Sequence, residues 1–237
     1  MIPKTFAHAA ALFAALSTAA FASGEIEFER VVLSTDFTCE GANFADLDRD
    51  GAMDVIAGPY WYAGPDWKVR RELYEPKTFD PHGYSDNFFV WTEDFDGDGW
   101  LDILLVGFPG KEAWWLRNPC GNAATKDARW ERFLVFDKVD NESPTYVDLD
   151  GDGARELVFH TGGRFGFAEP NRKAPRDPWS FTAFSQPFRI GPFTHGLGVG
   201  DLSGDGRADV FWKQGWFEQP AKANSEPWLF HEHVFSD

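Results

Sequence analysis

An acidic loop that occurs four times constrains this chain more than any other feature. The copies span residues 46–54, 94–102, 148–156 and 201–209, and they follow the pattern D-x-D-x-D-G-x-x-[DE] with one departure in the last copy. Carboxylates at alternate positions, followed by a glycine that permits a sharp turn, supply the oxygen ligands that Ca²⁺ takes in proteins. Successive loops begin 48, 54 and 53 residues apart. This spacing indicates a repeat protein in which each unit carries its own metal site.

The predicted calcium ligands are the side chains at loop positions one, three, five and nine, with a backbone carbonyl at position seven and about one ion per repeat. These side chains are Asp46, Asp48, Asp50, Asp54, Asp94, Asp96, Asp98, Asp102, Asp148, Asp150, Asp152, Glu156, Asp201, Ser203, Asp205 and Asp209. Ser203 replaces an acid, so we expect the fourth site to bind most weakly. Glu156 replaces an aspartate and reaches further. The alternative is four acidic turns that hold no metal.

The sequence around the loops predicts β-strands and excludes EF-hands. An EF-hand needs a glutamate at the twelfth loop position and a helix on each side. The twelfth positions here are Ala57, Leu105, Phe159 and Trp212. Short β-type runs follow the ninth position of each loop, and they are Asp54–Ala57, Asp102–Val106, Leu157–Phe159 and Asp209–Trp212. Each loop is therefore expected to join two strands of a hairpin.

Each unit of about 50 residues contains two further strand signals. A hydrophobic residue stands three positions before a proline, and a tryptophan opens another strand-like run downstream. These tryptophans are Trp67, Trp130, Trp179 and Trp228, and we predict that they pack between units. Four strands per unit, with the metal loop between the first and the second, are typical of a β-propeller blade. The predicted fold is therefore all-β, with about four blades.

These residues resemble the FG-GAP/VCBS repeat, the calcium-binding blade that is also seen in integrin α-subunit propellers. The resemblance covers about residues 36–235 and implies calcium in each hairpin. Such repeats occur in adhesins, lectin-like proteins and some sugar lyases, so the resemblance implies no single activity. The family usually forms seven blades, and this chain supplies four. A truncated chain, an open array that closes by association, and a compact ring of four or five blades all remain open. Residues 27–33 are expected to form an extra outer strand.

The N-terminus and the charge limit the possible locations and partners. Residues 1–22 combine Lys4 with an alanine-rich apolar run and a small-residue cleavage signal, which predicts a secretory signal peptide. Residues 23–237 would then be a secreted or periplasmic propeller, and no later segment is apolar enough to span a membrane. The net charge of −16 argues against nucleic acid or an anionic membrane as a partner.

Two cysteines and a set of polar residues bear on function. Cys39 and Cys120 are placed at opposite faces of the predicted blades, so we expect both to be unpaired. Polar residues before the inner strands converge on the opposite face from the calcium loops, and they are Glu40, Asp86, Glu142 and His195. They are candidates for catalysis or for ligand binding, and the alternative is ordinary polar residues at a wet channel mouth. Two functions therefore remain: a binding module for carbohydrate or protein, and a sugar-active enzyme of the lyase or dehydratase kind.

Overall fold

The computed structural model describes residues 27–121, 127–223 and 227–235, and within them the chain is all-β. Sixteen strands form four antiparallel sheets in these residues, and no helix occurs among them. The first sheet contains β1 (Ala42–Ala45), β2 (Asp54–Ala57), β3 (Tyr60–Ala63) and β4 (Val69–Glu72). The second contains β5 (Phe89–Glu93), β6 (Asp102–Val106), β7 (Lys111–Arg117) and β8 (Glu131–Val139). The third contains β9 (Thr145–Val147), β10 (Glu156–Thr161), β11 (Arg164–Glu169) and β12 (Ser180–Ala183). The fourth contains β13 (Gly198–Gly200), β14 (Asp209–Trp212), β15 (Gly215–Glu218) and β16 (Leu229–Glu232).

Each sheet runs in chain order from its first to its fourth strand, as in a propeller blade. An acidic loop joins the first and second strands of every blade, so the four loops lie at one edge of the sheets, here called the bottom. The connections between second and third strands, and those between blades, lie at the opposite edge, called the top. The predicted all-β fold of about four blades is confirmed.

Tryptophans at the start of the outer strands join neighbouring blades. The backbone N–H of Trp130 donates to the carbonyl of Leu73 in the first blade at 2.8 Å. Trp179 and Trp228 repeat this contact on the second and third blades, and all three indoles are buried. Burying one such side chain removes roughly 150–250 Å² from water, which contributes about 4–6 kcal/mol before entropy is counted. The prediction that these tryptophans pack between blades is confirmed for three of the four.

Trp67 is the exception, and the prediction for it was wrong. Its side chain is only partly buried, its φ is 53°, and its indole Nε1 donates to the carbonyl of Met53 beside the first acidic loop. The other three tryptophans lie against the blade before them, whereas no described strand precedes the first blade. Without that neighbour, the indole covers the bottom of its own blade.

The hydrophobic core consists of layers between successive blades. One cluster lies between the first and second blades, a second between the second and third, and a third between the third and fourth. Strand β6 is buried along its whole length because blades cover both of its faces. All sixteen strands belong to the compact unit of residues 33–237.

The described blades do not form a closed ring. The most extensive contacts between blades join β1 to β5, β8 to β10, and β9 to β13, and none of that extent joins the fourth blade to the first. The compact ring of four or five blades is therefore not observed. Residues 27–33 form no strand, so the predicted extra outer strand was wrong. The predicted signal peptide, residues 1–22, lies outside the described residues. No described helix is long and apolar enough to cross a membrane.

Candidate functional site

The first acid of each acidic loop organises the turn. Asp46 accepts hydrogen bonds from the backbone N–H groups of Asp50 and Gly51, both at 3.1 Å. The first acids of the other loops accept equivalent bonds. The glycine at position six has a φ of 89°, 86°, 91° and 88° in the four loops, a conformation that L side chains rarely adopt. The same loop geometry is therefore built four times.

Three of the loops bring carboxylate oxygens within 4.8 Å of one another. The groups are Asp46, Asp48 and Asp50; Asp94, Asp96 and Asp102; and Asp148, Asp150 and Glu156. In the first group, Oδ1 of Asp48 is buried and has no hydrogen-bond partner among the described residues. A buried carboxylate oxygen without a partner is costly unless a cation neutralises it. The donor set consists of hard oxygens at a turn, so these residues fit Ca²⁺.

The fourth loop does not form such a group. Among the described residues, Asp201, Asp205 and Asp209 do not converge within that distance. Asp205 forms an ion pair with Arg207, and Ser203 occupies the position of an acid. The weakest binding at the fourth site stays a prediction.

The acid at position nine joins the acidic loop to its own sheet in the first, second and fourth blades. Asp102 accepts hydrogen bonds from the N–H groups of Phe95 at 3.1 Å and Asn118 at 2.7 Å, and it is fully buried. Asp54 and Asp209 make the same two kinds of contact. These acids therefore clamp the loop to the end of the third strand, besides any role as ligands. Asp102 belongs to a carboxylate group, whereas Asp54 does not.

Burial raises the pKa of the ninth-position acids in the first three loops. It raises the pKa of Asp102 to about 7, although the two backbone hydrogen bonds oppose this shift. Burial likewise raises the pKa of Glu156 to about 7, with a further contribution from the nearby Asp150 and Asp152. A divalent cation would favour the charged form of these acids.

The guanidinium of Arg117, at the end of β7, lies among the carboxylates of the second loop. Its Nε lies 2.6 Å from Oδ2 of Asp96, and its Nη2 lies 2.7 Å from Oδ2 of Asp98. The Sγ of Cys120 also lies 2.7 Å from the same Asp98 oxygen. Cys120 and Cys39 are both free thiols. The second loop thus carries its own counter-cation.

Two side-chain amides form hydrogen bonds between blades that the sequence did not predict. The side-chain Nδ2 of Asn118 donates to the carbonyl of Leu47 in the first loop at 2.9 Å. The Nε2 of Gln219 donates to the equivalent carbonyl of Leu149 in the third loop at 2.7 Å. Both amides directly precede the proline that follows the third strand of their blade. This shared position before the proline is the sequence feature that could have indicated the contact. Glu169 holds the position in the third blade and has no N–H to donate when ionised.

The four polar candidate residues on the top edge do not form one cluster. His195 Nε2 lies 3.0 Å from Glu142 Oε2, so this pair joins the third and fourth blades. Glu40 instead accepts hydrogen bonds from the backbone and the hydroxyl of Ser85. Asp86 is exposed and lies 4.0 Å from Lys77 Nζ. The structure therefore brings Glu142 and His195 together and gives Glu40 and Asp86 separate partners.

Four aromatic rings form a continuous strip on the same edge. We call Tyr84, Phe88, Phe108 and Phe193 the top-face strip. The ring centroids of Tyr84 and Phe88 are 6.1 Å apart, and those of Tyr84 and Phe108 are 5.6 Å apart. Phe108 in turn lies 5.5 Å from Phe88 and 5.2 Å from Phe193. Because Phe193 comes from the connection to the fourth blade, the strip exists only in the folded array.

Comparison with known proteins agrees with the repeat. Residues 94–159 match the FG-GAP-like repeat family. No curated protein matches the chain. The Photorhabdus luminescens Tc holotoxin pore is 19% identical over 80% of this chain and 9% of its own, with a TM-score of 0.41. A lectin from Agrocybe aegerita, described as recognising non-reducing terminal N-acetylglucosamine, is 20% identical over 81% of this chain and 51% of its own, with a TM-score of 0.46. The chain spans about half of that lectin and a small part of the toxin.

Proposed function

We propose that this chain is a secreted or periplasmic, calcium-stabilised binding module that holds a carbohydrate or protein ligand on the top-face strip. The observation that carries the proposal is the exposure of the strip. Tyr84 is 63% exposed and Phe193 is 44% exposed, yet their rings form one row with Phe88 and Phe108. A contiguous exposed patch of large apolar rings marks an interaction site more often than single exposed residues do.

The chemistry of the strip suits both ligand classes. Aromatic rings provide large contact areas with little side-chain entropy to lose, and they dominate the energetics of protein interfaces. His195 follows Phe193 by two residues in the chain, and together with its partner Glu142 it offers polar groups beside the strip. An apolar row with few polar groups beside it is the usual composition of a ligand site.

Calcium has a structural role in this proposal. The acidic loops lie on the bottom edge, away from the strip, and each ion would neutralise carboxylates that otherwise repel one another. A cation that binds only the folded state stabilises it by about 2.7 kcal/mol per site at one hundred times the dissociation constant. The carboxylate groups of the first three loops support this role.

Affinity electrophoresis in gels that contain a panel of soluble polysaccharides tests the proposal. The panel is run with the wild type, with Tyr84→Ala combined with Phe193→Ala, and with Phe28→Ala as a control. Phe28 is 92% exposed and lies outside the strip. A retardation that only the double variant loses would support binding at the strip. Equal mobility of the wild type and the double variant in every gel, together with no strip-dependent binding to purified protein candidates, would refute it.

A sugar-active enzyme is the second candidate, and the contact between Glu142 and His195 is the observation that favours it. A carboxylate and an imidazole 3.0 Å apart can share a proton, as acid–base chemistry requires. Incubation of the same polysaccharides with the wild type and Glu142→Gln, followed by assays of reducing ends and of ultraviolet absorbance, separates the two functions. Product formed by the wild type and not by Glu142→Gln would establish the enzyme.

A further inference from the structure

A cleft of about 690 Å³ opens between the first and second blades and meets the top-face strip at Phe108. Its floor is the face of β6, β7 and β8 that turns towards the first blade. The apolar part of the lining consists of Tyr74, Leu105, Phe108, Trp114, Leu116 and Trp130. This volume is in the range of small-molecule sites in proteins, which is roughly 300–1,000 Å³.

Two cations in the cleft are free to bind a ligand. Arg129 is paired with Glu72 and Glu75, and Lys77 lies near Asp86. By contrast, Arg132 and Lys111 line the cleft with no carboxylate within 4.0 Å among the described residues. The positive charges of Arg132 and Lys111 are therefore not already engaged in an ion pair with another described residue.

Arg132 is held in a defined position. Its guanidinium carbon lies 4.4 Å from the centroid of the Trp114 ring, so the two planar groups are in contact. Stacking on an aromatic ring leaves the edge of a guanidinium available, and that edge matches a carboxylate with two parallel hydrogen bonds. Arg132 therefore presents a preorganised site for a carboxylate.

We propose that this cleft binds a saccharide that carries a carboxylate, that is, a uronic acid unit. Arg132 receives the carboxylate, and Lys111 adds a second positive charge. The apolar floor accepts the C–H face of the sugar ring. The carboxylates of Glu112 and Asp86, which also line the cleft, accept hydrogen bonds from sugar hydroxyls. This inference rests on the proposed function and names the chemical class of one ligand.

The acidic lining distinguishes a sugar acid from an acidic peptide. A uronic acid combines one carboxylate with several hydroxyl donors. Its carboxylate can pair with the cations of the cleft, and its hydroxyls can donate hydrogen bonds to the carboxylates of the cleft. A peptide with several acidic side chains would place like charges near Glu75, Asp86 and Glu112. Such like-charge contacts are unfavourable in an interface.

Titration calorimetry on the full chain in calcium tests the inference, with galacturonic acid, which carries one carboxylate, as the charged probe and galactose as the neutral one. Arg132→Gln removes the positive charge of this residue. Arg132→Lys keeps the charge but removes the planar guanidinium that can form two parallel hydrogen bonds. Arg70→Gln is the matched control, because Arg70 stacks on Tyr60 at 4.2 Å outside the cleft. We expect the wild type to prefer galacturonic acid to galactose. Arg132→Gln should weaken that binding about tenfold or more, Arg132→Lys less, and Arg70→Gln less than about twofold.

The outcomes separate this inference from the proposed function. Loss of uronate binding in Arg132→Gln alone, with an unchanged unfolding temperature, supports the cleft. Equal binding of both probes, or uronate binding that Arg132→Gln does not alter, overturns it. If saccharide or protein binding depends on Tyr84 and Phe193 while Arg132→Gln has no effect, the proposed function stands and the cleft inference fails. If no ligand binds either site, both fail.

Discussion

Replacing Arg117 with methionine should strengthen calcium binding at the second acidic loop. The guanidinium lies 2.6 Å from Asp96 and 2.7 Å from Asp98, and both carboxylates are predicted ligands. Calcium–oxygen distances are about 2.3–2.6 Å, so a bound ion would lie roughly 5–6 Å from this positive charge. A methionine keeps most of the hydrophobic stem and removes the charge.

The expected size of the effect follows from Coulomb's law. A charge of +2 and a charge of +1 at this separation repel by about 1.5–3 kcal/mol at an effective dielectric constant of roughly 40–80, which suits a solvent-exposed loop. The change corresponds to an affinity about 10- to 150-fold higher for Arg117→Met. The calcium-free protein should become less stable by about 1 kcal/mol or less, because two carboxylates lose their partner.

Terbium luminescence provides a measurement specific to this loop. Trp100 occupies position seven of the second loop and can sensitise a Tb³⁺ ion bound there. A Trp67→Phe background removes the indole that contacts the first loop at Met53. Arg129→Met is the control, because Arg129 also pairs with two carboxylates but lies outside the acidic loops. Equal terbium affinity with and without Arg117 would refute the argument that this residue competes with the metal.

Three further outcomes are expected from stability measurements. Asn118→Ala should lower the free energy of unfolding, measured in urea, by about 2–3 kcal/mol, because the buried side-chain amide donates hydrogen bonds to the carbonyls of Leu47 and Leu101. The control Gln186→Ala, at an exposed position, should change this free energy little. Burial lowers the pKa of His160 to about 4, below the value of 6.5 in an unfolded chain, so the unfolded state binds more protons between these values. Between pH 6.5 and 4 the wild type should therefore lose on the order of 3 kcal/mol of stability relative to His160→Phe, measured as the difference between their denaturation curves, because the opposite effect of the raised pKa values of Asp102 and Glu156 is common to both proteins and cancels. Arg49→Gly should raise the thermal midpoint, with a gain of about 0.5–1 kcal/mol, because Arg49 has a φ of 60° at a position where the other loops carry glycine; an unchanged or lower midpoint would contradict this.

The repeat and its hairpins were predictable from the sequence because the interactions that build them are local. The first acid of a loop accepts hydrogen bonds from N–H groups three to five residues later, so the acids and the glycine specify the turn wherever they occur. The predicted strands Asp54–Ala57, Asp102–Val106 and Asp209–Trp212 agree with the structure for the same reason. The blade order also followed, since short connections leave sequential strands little choice but to pair.

Contacts between blades depended on the tertiary structure. Asn118 bonds to a residue 71 positions earlier, Glu40 pairs with Ser85, and Phe193 completes a strip that begins at Tyr84. The sequence placed Glu40 with Glu142 and His195, but it could not show that Ser85 satisfies Glu40 first.

The sequence by itself therefore determined the repeat unit, the turn chemistry and the acidic residues that are predicted to hold calcium. Only the tertiary structure decided that Trp67 leaves the core, that Arg117 enters an acidic loop, and that a cleft between the first two blades meets the top-face strip at Phe108. The physical reason is one of range. A turn is stabilised by groups within one loop, whereas a surface formed by several blades depends on how those blades pack, and no short segment encodes that arrangement.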